Sequence, residues 1–285
     1  MARGPRCCKW VGFAGASLTF VKAESGVRGS AHIRPLHWYL ACRLVLEGGF
    51  HPDEVTPRPP FRVRPARQRL LLEHDPGRGA GGERTILGGL KTKDVDVVVV
   101  KEGVGPVLAV SVKGTLGAFR NLTNRMEEAV GDCTNVHITY PALVYGFFHI
   151  IRANRSGPGV SANDVALRED GRVSEVILRY HDVMSRLAGR ADVRADPTKY
   201  EAVALVLVSS DQAAAGDVVS AYPPPESPLL MGSFFEKLYA QYDQRFVFPA
   251  PGLDRTTRRM EWDGESPALS HPLVTEYSPR VTGGA

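Results

Sequence analysis

Two apolar runs joined by a short glycine-rich connection occupy the centre of the chain. Residues 97–100 are four consecutive valines, and residues 107–113 read VLAVSVK. β-Branched residues favour an extended strand, and unbroken apolarity indicates burial on both faces of a sheet. The connection KEGVGP at 101–106 contains glycine and proline, which are typical of turns. The pattern therefore predicts an antiparallel hairpin.

The flanking sequence predicts an alternation of helices and strands. Apolar residues at helical spacing predict helices at 34–47, 118–130, 172–187 and 233–246. Further strands are predicted at 67–73, 84–87, 143–151 and 201–210. A helix between successive strands is typical of an α/β domain. We expect this domain to span 29–248, after a leader or early strand at 1–28 and before a polar C-terminal tail at 249–285.

The composition excludes some classes of protein. The chain has 285 residues, 43% of them hydrophobic and 23% charged, and a formal net charge of +4. This charge neither requires nor excludes a nucleic-acid partner. No apolar run approaches the ~20 residues that span a bilayer, and the four cysteines lack the spacing of a metal site or a disulfide framework. We expect a cytoplasmic protein without a membrane partner.

Polar side chains fall at the end of the predicted hairpin. Because side chains alternate along a strand, Ser111 and Lys113 project from one face of the second strand. Asp96 directly precedes the first strand. If the hairpin pairs as expected, Asp96 lies near Ser111 and Lys113.

The helix predicted at 118–130 adds one carboxylate to this group. Its apolar stripe consists of Phe119, Leu122, Met126 and Val130. At about 100° per residue, Glu127 lies beside the stripe, whereas Glu128 points nearly opposite, towards solvent. We therefore expect Glu127 to reach the site and Glu128 not to do so.

These residue types suit the hydrolysis of a phosphodiester. The carboxylates of Asp96 and Glu127 can hold a hard divalent cation such as Mg²⁺ through oxygen. Such a cation polarises a phosphate and lowers the pKa of a bound water. Lys113 can orient or deprotonate a water, or stabilise charge that develops on the phosphate.

The group resembles the motif of the PD-(D/E)XK nuclease superfamily. Asp96 matches the aspartate that opens one strand, and Lys113 matches the lysine of the acidic-x-Lys triplet on the next strand. Ser111 stands at the acidic position of the triplet. A branch of type II restriction enzymes has the same Ser-x-Lys triplet and takes its second carboxylate from the following helix, at the position that Glu127 occupies here.

The resemblance implies a fold, an activity and partners. The fold would be a restriction-endonuclease-like central mixed β-sheet flanked by helices. The activity would be Mg²⁺-dependent cleavage of double-stranded DNA by a type II restriction endonuclease, with Asp96, Ser111, Lys113 and Glu127 as catalytic residues. The residues expected to contact DNA are Arg120, Asn121, Asn124 and Arg125. A palindromic site would require a homodimer or higher homo-oligomer.

Other functions stay open at this point. A DNA-repair, junction-resolving or other phage-defence nuclease would use the same hairpin chemistry. A catalytically inactive DNA-binding member of the fold is suggested by Ser111 in place of an acid. An ordinary core hairpin with an exposed serine and lysine at its end is the structural alternative.

A few residues outside the hairpin have two interpretations. Glu83 is a further carboxylate that could join the site. His37 and His149 are expected to be core or surface residues rather than site residues. The five arginines between Arg58 and Arg69 form either an arm that contacts phosphates or a solvated loop.

Overall fold

The computed structural model describes residues 7–24 and 30–282. The helices are α1 (Phe13–Val21), α2 (Arg34–Leu46), α3 (Leu122–Thr139), α4 (Glu175–Leu187), α5 (Met231–Tyr242) and α6 (Asp254–Thr257). The strands are β1 (Val55–Thr56), β2 (Phe61–Ala66), β3 (Arg69–His74), β4 (Arg84–Ile86), β5 (Lys93–Val95), β6 (Val97–Lys101), β7 (Gly105–Thr115), β8 (Val144–Ala153) and β9 (Ala202–Ser209).

The centre of the molecule is a five-stranded mixed sheet in the order β1-β6-β7-β8-β9. β6 is antiparallel to β1 and β7, which confirms the predicted hairpin. β7, β8 and β9 are parallel. Parallel neighbours require crossover connections, which α3 and α4 provide. β2 and β3 form a separate antiparallel hairpin, as do β4 and β5.

Helices cover both faces of this sheet. α1, α2 and α5 pack on one face, together with the side chains of Val110 and Val112. α3 and α4 pack on the other face, together with Ala109 and Phe147. Each fully buried aliphatic side chain contributes about 1.5–3 kcal/mol relative to exposure. Side chains alternate along β7, so Ser111 and Lys113 share the face of Ala109 and project towards the layer formed by α3 and α4.

The helix predicted at 118–130 corresponds to α3, but it begins later than predicted. A 3-10 turn precedes the helix and delays its start to Leu122. Met126 is buried as expected, but Ala129 is buried where Val130 was expected, and Val130 is only partly buried. The buried face thus includes Ala129 in addition to the predicted stripe, of which Leu122 and Val130 are only partly buried.

The described part of the first 28 residues is a helix that belongs to the core, not a leader or a strand. α1 buries Ala16 and Phe20 completely. It packs against α2, so the domain begins before residue 29. The expectation for residues 1–6 and 25–28 lies outside the described residues.

The C-terminal segment is packed against the domain and is not a loose polar tail. Trp262 is fully buried, and its indole N–H donates to the carbonyl of Val45 at 2.9 Å. The hydroxyl of Tyr277 donates to the carbonyl of Val11. A few large aromatic side chains anchor a segment whose average composition is polar. None of the helices in the described ranges is long and apolar enough to cross a bilayer.

Candidate metal centre

Asp96 lies where the antiparallel pairing of β6 and β7 ends. Val97 pairs with Val110, and β7 continues beyond this pair. The Asp96 Oδ2 atom accepts a hydrogen bond from the backbone N–H of Val112 at 2.6 Å. The Ser111 hydroxyl donates to the same oxygen at 3.4 Å. The expected approach of Asp96 to Ser111 is therefore present, and the carboxylate is fixed against the strand.

The other Asp96 oxygen faces a histidine from α2. Oδ1 lies 3.5 Å from the Nε2 atom of His37. Glu83, which precedes β4, completes a group in which one ligand atom from each residue lies within 4.8 Å of the others. No other set of three His, Cys, Asp or Glu side chains in residues 7–24 and 30–282 meets this criterion.

The donor atoms of this group fit a divalent cation. His37 is buried, and its Nε2 atom has no hydrogen-bond partner among the described residues. Burial lowers the pKa of His37 more than the carboxylates of Asp96 and Glu83 raise it, so the imidazole is neutral and can act as a ligand. Carboxylate oxygens suit Mg²⁺ and Mn²⁺, and an added imidazole suits Mn²⁺ and later transition metals.

Lys113 forms an ion pair with the glutamate that was expected to face solvent. Its Nζ atom lies 2.7 Å from the Oε1 atom of Glu128. Burial tends to raise the pKa of Glu128, but the hydrogen bond and charge of Lys113 outweigh it, so the pKa lies below its ordinary value. The expectation for Glu128 was wrong because the lysine and glutamate side chains are long enough to meet although Glu128 itself is exposed.

Glu127 is exposed and makes no hydrogen bond or ion pair with the described part of the chain. It lies away from the buried face of α3, which carries Met126 and Ala129. The structure thus joins Asp96 to Ser111 and Lys113 to Glu128, while Glu127 has no contact with either pair. Its role as a second metal ligand stays a prediction of the family resemblance.

The residues expected to contact DNA lie at the start of α3. Arg120, Asn121 and Asn124 are exposed, and their side chains make no hydrogen bond to a described residue. Arg125 is partly buried, and its Nε atom has no partner in the described ranges. These side chains are therefore available to an external ligand.

His149 lies on β8 directly beside Lys113 in the parallel register. Its Nε2 atom is 2.8 Å from the hydroxyl of Thr115, and the residue is fully buried in the sheet. Burial lowers the pKa of His149 to about 3, and the nearby charges of Arg125 and Lys113 add to this effect. His149 is a neutral core residue, as expected.

Most of the arginines between 58 and 69 are paired within the protein. Arg62 and Arg64 both contact Glu73, at 2.5 and 2.6 Å. Arg69 faces Asp263 at 3.4 Å. Arg58 donates to the carbonyl of Arg78 at 2.7 Å. This internal neutralisation favours a solvated surface over an arm that contacts phosphates.

His37 was missed by sequence analysis, and Glu83 was noted only as a further carboxylate. Neither has a spacing relation to Asp96 that marks it, because α2 and the segment before β4 approach Asp96 only through tertiary packing. The one available signal was that Glu83 directly precedes the strand predicted at 84–87.

Comparisons with known proteins return no relatives. No family model matches the chain, and neither does any curated protein or solved structure.

Proposed function

We propose that this chain is a metal-dependent endodeoxyribonuclease that hydrolyses double-stranded DNA, of the type II restriction class. The observation that carries the proposal is the meeting of His37, Glu83 and Asp96 at the strand end that bears Ser111 and Lys113. The mixed sheet flanked by helices agrees with the broad architecture that the resemblance implies.

The side chains at this strand end have distinct roles in the proposed reaction. Asp96, Glu83 and His37 would hold a divalent cation such as Mg²⁺. The bound cation would supply positive charge beside a phosphate oxygen and a water of lowered pKa. The hydrogen bond from Val112 holds the Asp96 carboxylate in one orientation before any ligand arrives. The neutral state of His37 keeps its lone pair available near neutral pH.

Lys113 is the cationic group for the phosphate. Its side chain is 32% exposed and that of Glu128 is 52% exposed. Ion pairs at such positions contribute about 0–1 kcal/mol. A phosphate oxygen can therefore displace Glu128 from Lys113 at little energetic cost. The freed ammonium would stabilise the charge that develops during hydrolysis, or orient the attacking water.

The glutamates of α3 have separable roles in this proposal. Glu127 lies outside the group of His37, Glu83 and Asp96; the resemblance implies it as a further metal ligand, and it has no hydrogen bond or ion pair with a described residue. Glu128 holds Lys113 in the absence of substrate. Replacing each by glutamine distinguishes the two roles, because only the metal ligand is required for cleavage.

DNA contacts and assembly complete the proposal. Arg120, Asn121, Asn124 and Arg125 lie together at the start of α3, where exposed polar side chains can reach base edges. A palindromic site would be cut by two copies of the chain related by a two-fold axis.

The test is digestion of supercoiled plasmid DNA by the purified chain with Mg²⁺, with Mn²⁺ and with EDTA. We expect discrete fragments with either metal and none with EDTA. Asp96→Asn should abolish cutting, and Lys113→Ala should slow it by about 10²–10³-fold. Asp94→Asn is the matched control, because Asp94 is exposed and hydrogen-bonds to Thr85 outside the metal group.

The outcomes separate the alternatives. Cutting that survives Asp96→Asn would contradict the assigned site. Smearing or nicking of branched DNA only would indicate a repair nuclease in place of a restriction enzyme. Loss of cutting in Glu128→Gln but not in Glu127→Gln would mean that Glu128 is required for cleavage and Glu127 is not.

A second candidate function is DNA binding without catalysis. The observation that favours it is the ion pair that occupies Lys113, together with Ser111 at the acidic position. Such a protein would bind duplex DNA without cutting it, and Lys113→Ala would leave its affinity unchanged.

A further inference from the structure

The hairpin formed by β4 and β5 directly adjoins the candidate metal centre. Glu83 precedes β4 and Asp96 follows β5, so two of the three proposed metal ligands lie at its base. Its tip exposes two apolar side chains, with Leu87 62% exposed and Leu90 86% exposed. A single exposed leucine is ordinary in a folded protein. Two on one tight loop beside a candidate active site require an explanation.

The loop is held rigidly while these side chains project. The buried Asn135 amide accepts from the backbone N–H of Leu90 at 2.8 Å and donates to the carbonyl of Lys91 at 2.8 Å. The backbone N–H of Gly89 donates to the Asn135 carbonyl at 2.8 Å. A Cβ atom at Gly88 would overlap the Asn135 amide, so this approach requires glycine. The loop is therefore organised in advance of any partner.

The charge of the hairpin suits an anionic partner. Arg84 and Lys91 are exposed and form no ion pair with a described residue. Lys93 pairs with Asp132, and Asp94 accepts a hydrogen bond from Thr85. Asp94 keeps its negative charge, and among the described residues the hairpin offers two cations without an ion pair, Lys91 next to its apolar tip and Arg84 at its base.

The tip and the catalytic strand end lie along one exposed face of α3. Asn124, Gly131 and Ile138 are all exposed on that helix, and Ile138 lies beside Gly89. The ten residues from Glu128 to Ile138 correspond to about 15 Å along a helix. At about 3.4 Å per base pair, this distance spans roughly four base pairs of DNA.

We propose that this hairpin engages duplex DNA, with Leu87 and Leu90 as an apolar wedge. The wedge would enter a base step about four pairs from the scissile phosphate. Arg84 and Lys91 would contact the flanking phosphates. Apolar side chains inserted in this way unstack a step and bend the duplex. The inference rests on the proposed function, because it assigns the hairpin to the same DNA substrate.

The test uses the full chain with a mixed-sequence, thymine-rich duplex of about thirty base pairs, in Ca²⁺. Fluorescence anisotropy gives the affinity and its salt dependence, and permanganate oxidation reports unstacked thymines. Leu87→Ser with Leu90→Ser should weaken binding by about tenfold and remove the permanganate signal. Arg84→Gln with Lys91→Gln should reduce the slope of log K against log salt by about two.

Phe248→Ser is the matched control for the exposed leucines. Phe248 is 77% exposed and follows α5, which packs on the opposite face of the sheet. Its substitution should change neither readout. Because all these side chains are exposed, thermal unfolding of each variant should match that of the wild type.

Three results would overturn the inference. If the serine variant binds and unstacks the duplex as the wild type does while the wild type still cuts plasmid, the nuclease proposal survives alone. If the serine variant changes only the oligomeric state at unchanged affinity per protomer, the tip is an interface between copies. If the wild type does not bind the duplex, the proposal that the hairpin engages DNA is wrong. If the wild type also leaves the plasmid uncut, the proposed nuclease function is wrong as well.

Discussion

The orientation of Asp96 is set by two hydrogen bonds to one oxygen, a short one from the backbone amide of Val112 and a longer one from the Ser111 hydroxyl. This arrangement follows from the sequence, because Asp96 directly precedes the strand that pairs with β7. The same reasoning placed Ser111 and Lys113 on one face, which the structure confirms. It could not place His37 and Glu83 beside Asp96. Their approach depends on how α2 and the segment before β4 pack, and no local pattern encodes that packing.

His149 provides a prediction at the scale of one side chain. Burial and neighbouring charge lower its pKa to about 3, below the ordinary value of 6.5 expected in the unfolded chain. As the pH falls below about 6.5, His149 becomes protonated in the unfolded chain but stays neutral in the folded protein. The free energy of unfolding therefore decreases from about pH 6.5 downwards. One such histidine removes up to about 2 kcal/mol between about pH 7 and about pH 5.

Urea unfolding of the wild type and His149→Gln at these two pH values measures this contribution. The substitution carries its own loss of packing, but that loss is the same at both pH values and cancels in the difference. We expect the pH-dependent loss of stability to be smaller in the variant. An equal loss in both proteins would mean that His149 is protonated in the fold.

At the scale of elements, the strands were predicted more accurately than the start of α3. Apolar runs identified β6, β7, β8 and β9, because a strand that is buried on both faces is apolar at every position and is recognised without knowing which face points to the core. The start of α3 depends on Ala118, which has a φ of 55° and donates its N–H to Asp164. This left-handed residue and the 3-10 turn after it delay the start of the helix to Leu122, and no local pattern marks either.

The left-handed conformation at Ala118 makes a prediction about this element. A β-branched residue fits a positive φ poorly, so Ala118→Val should lower the free energy of unfolding by about 1–2 kcal/mol or more. Ala118→Gly should change it by less than about 1 kcal/mol, because relief of strain offsets the added chain entropy. Thr123→Val, at an exposed position in the first turn of α3, is the control and should stay within about 0.5 kcal/mol. A valine at 118 that is tolerated as well as glycine would exclude strain there.

At the scale of the whole molecule, long-range contacts join distant segments of the described chain into one domain. Glu201 is buried and accepts hydrogen bonds at 2.7 Å from Arg190, from Arg245 and from the backbone of Tyr145. This network joins the start of β9 to the segment after α5. The sequence predicted the mixed α/β class and the central sheet. It did not predict the packing of the first helix or the C-terminal segment, because that packing depends on a few buried aromatic residues in otherwise polar or mildly apolar stretches.

The packing of the C-terminal segment is tested by Trp262→Ala. Trp262 is fully buried and its indole N–H is bonded to the end of α2, so its removal should destabilise the domain by about 3–5 kcal/mol. Leu253→Ala lies in the same segment at a 47% exposed position and should change stability by less than about 0.5 kcal/mol. Urea unfolding followed by circular dichroism measures both. Equal small effects would show that the segment is not part of the folded domain.

The most direct test of the metal centre is a crystal of the protein soaked in Mn²⁺, with the ion located by anomalous scattering. The account predicts a peak in contact with the Asp96 carboxylate, with His37 Nε2 and a Glu83 oxygen in the same coordination shell. A peak bound by Glu127 and Asp96 without His37 would instead support the ligand set expected from the sequence. No peak at Asp96 would contradict the metal centre and the nuclease proposed from it.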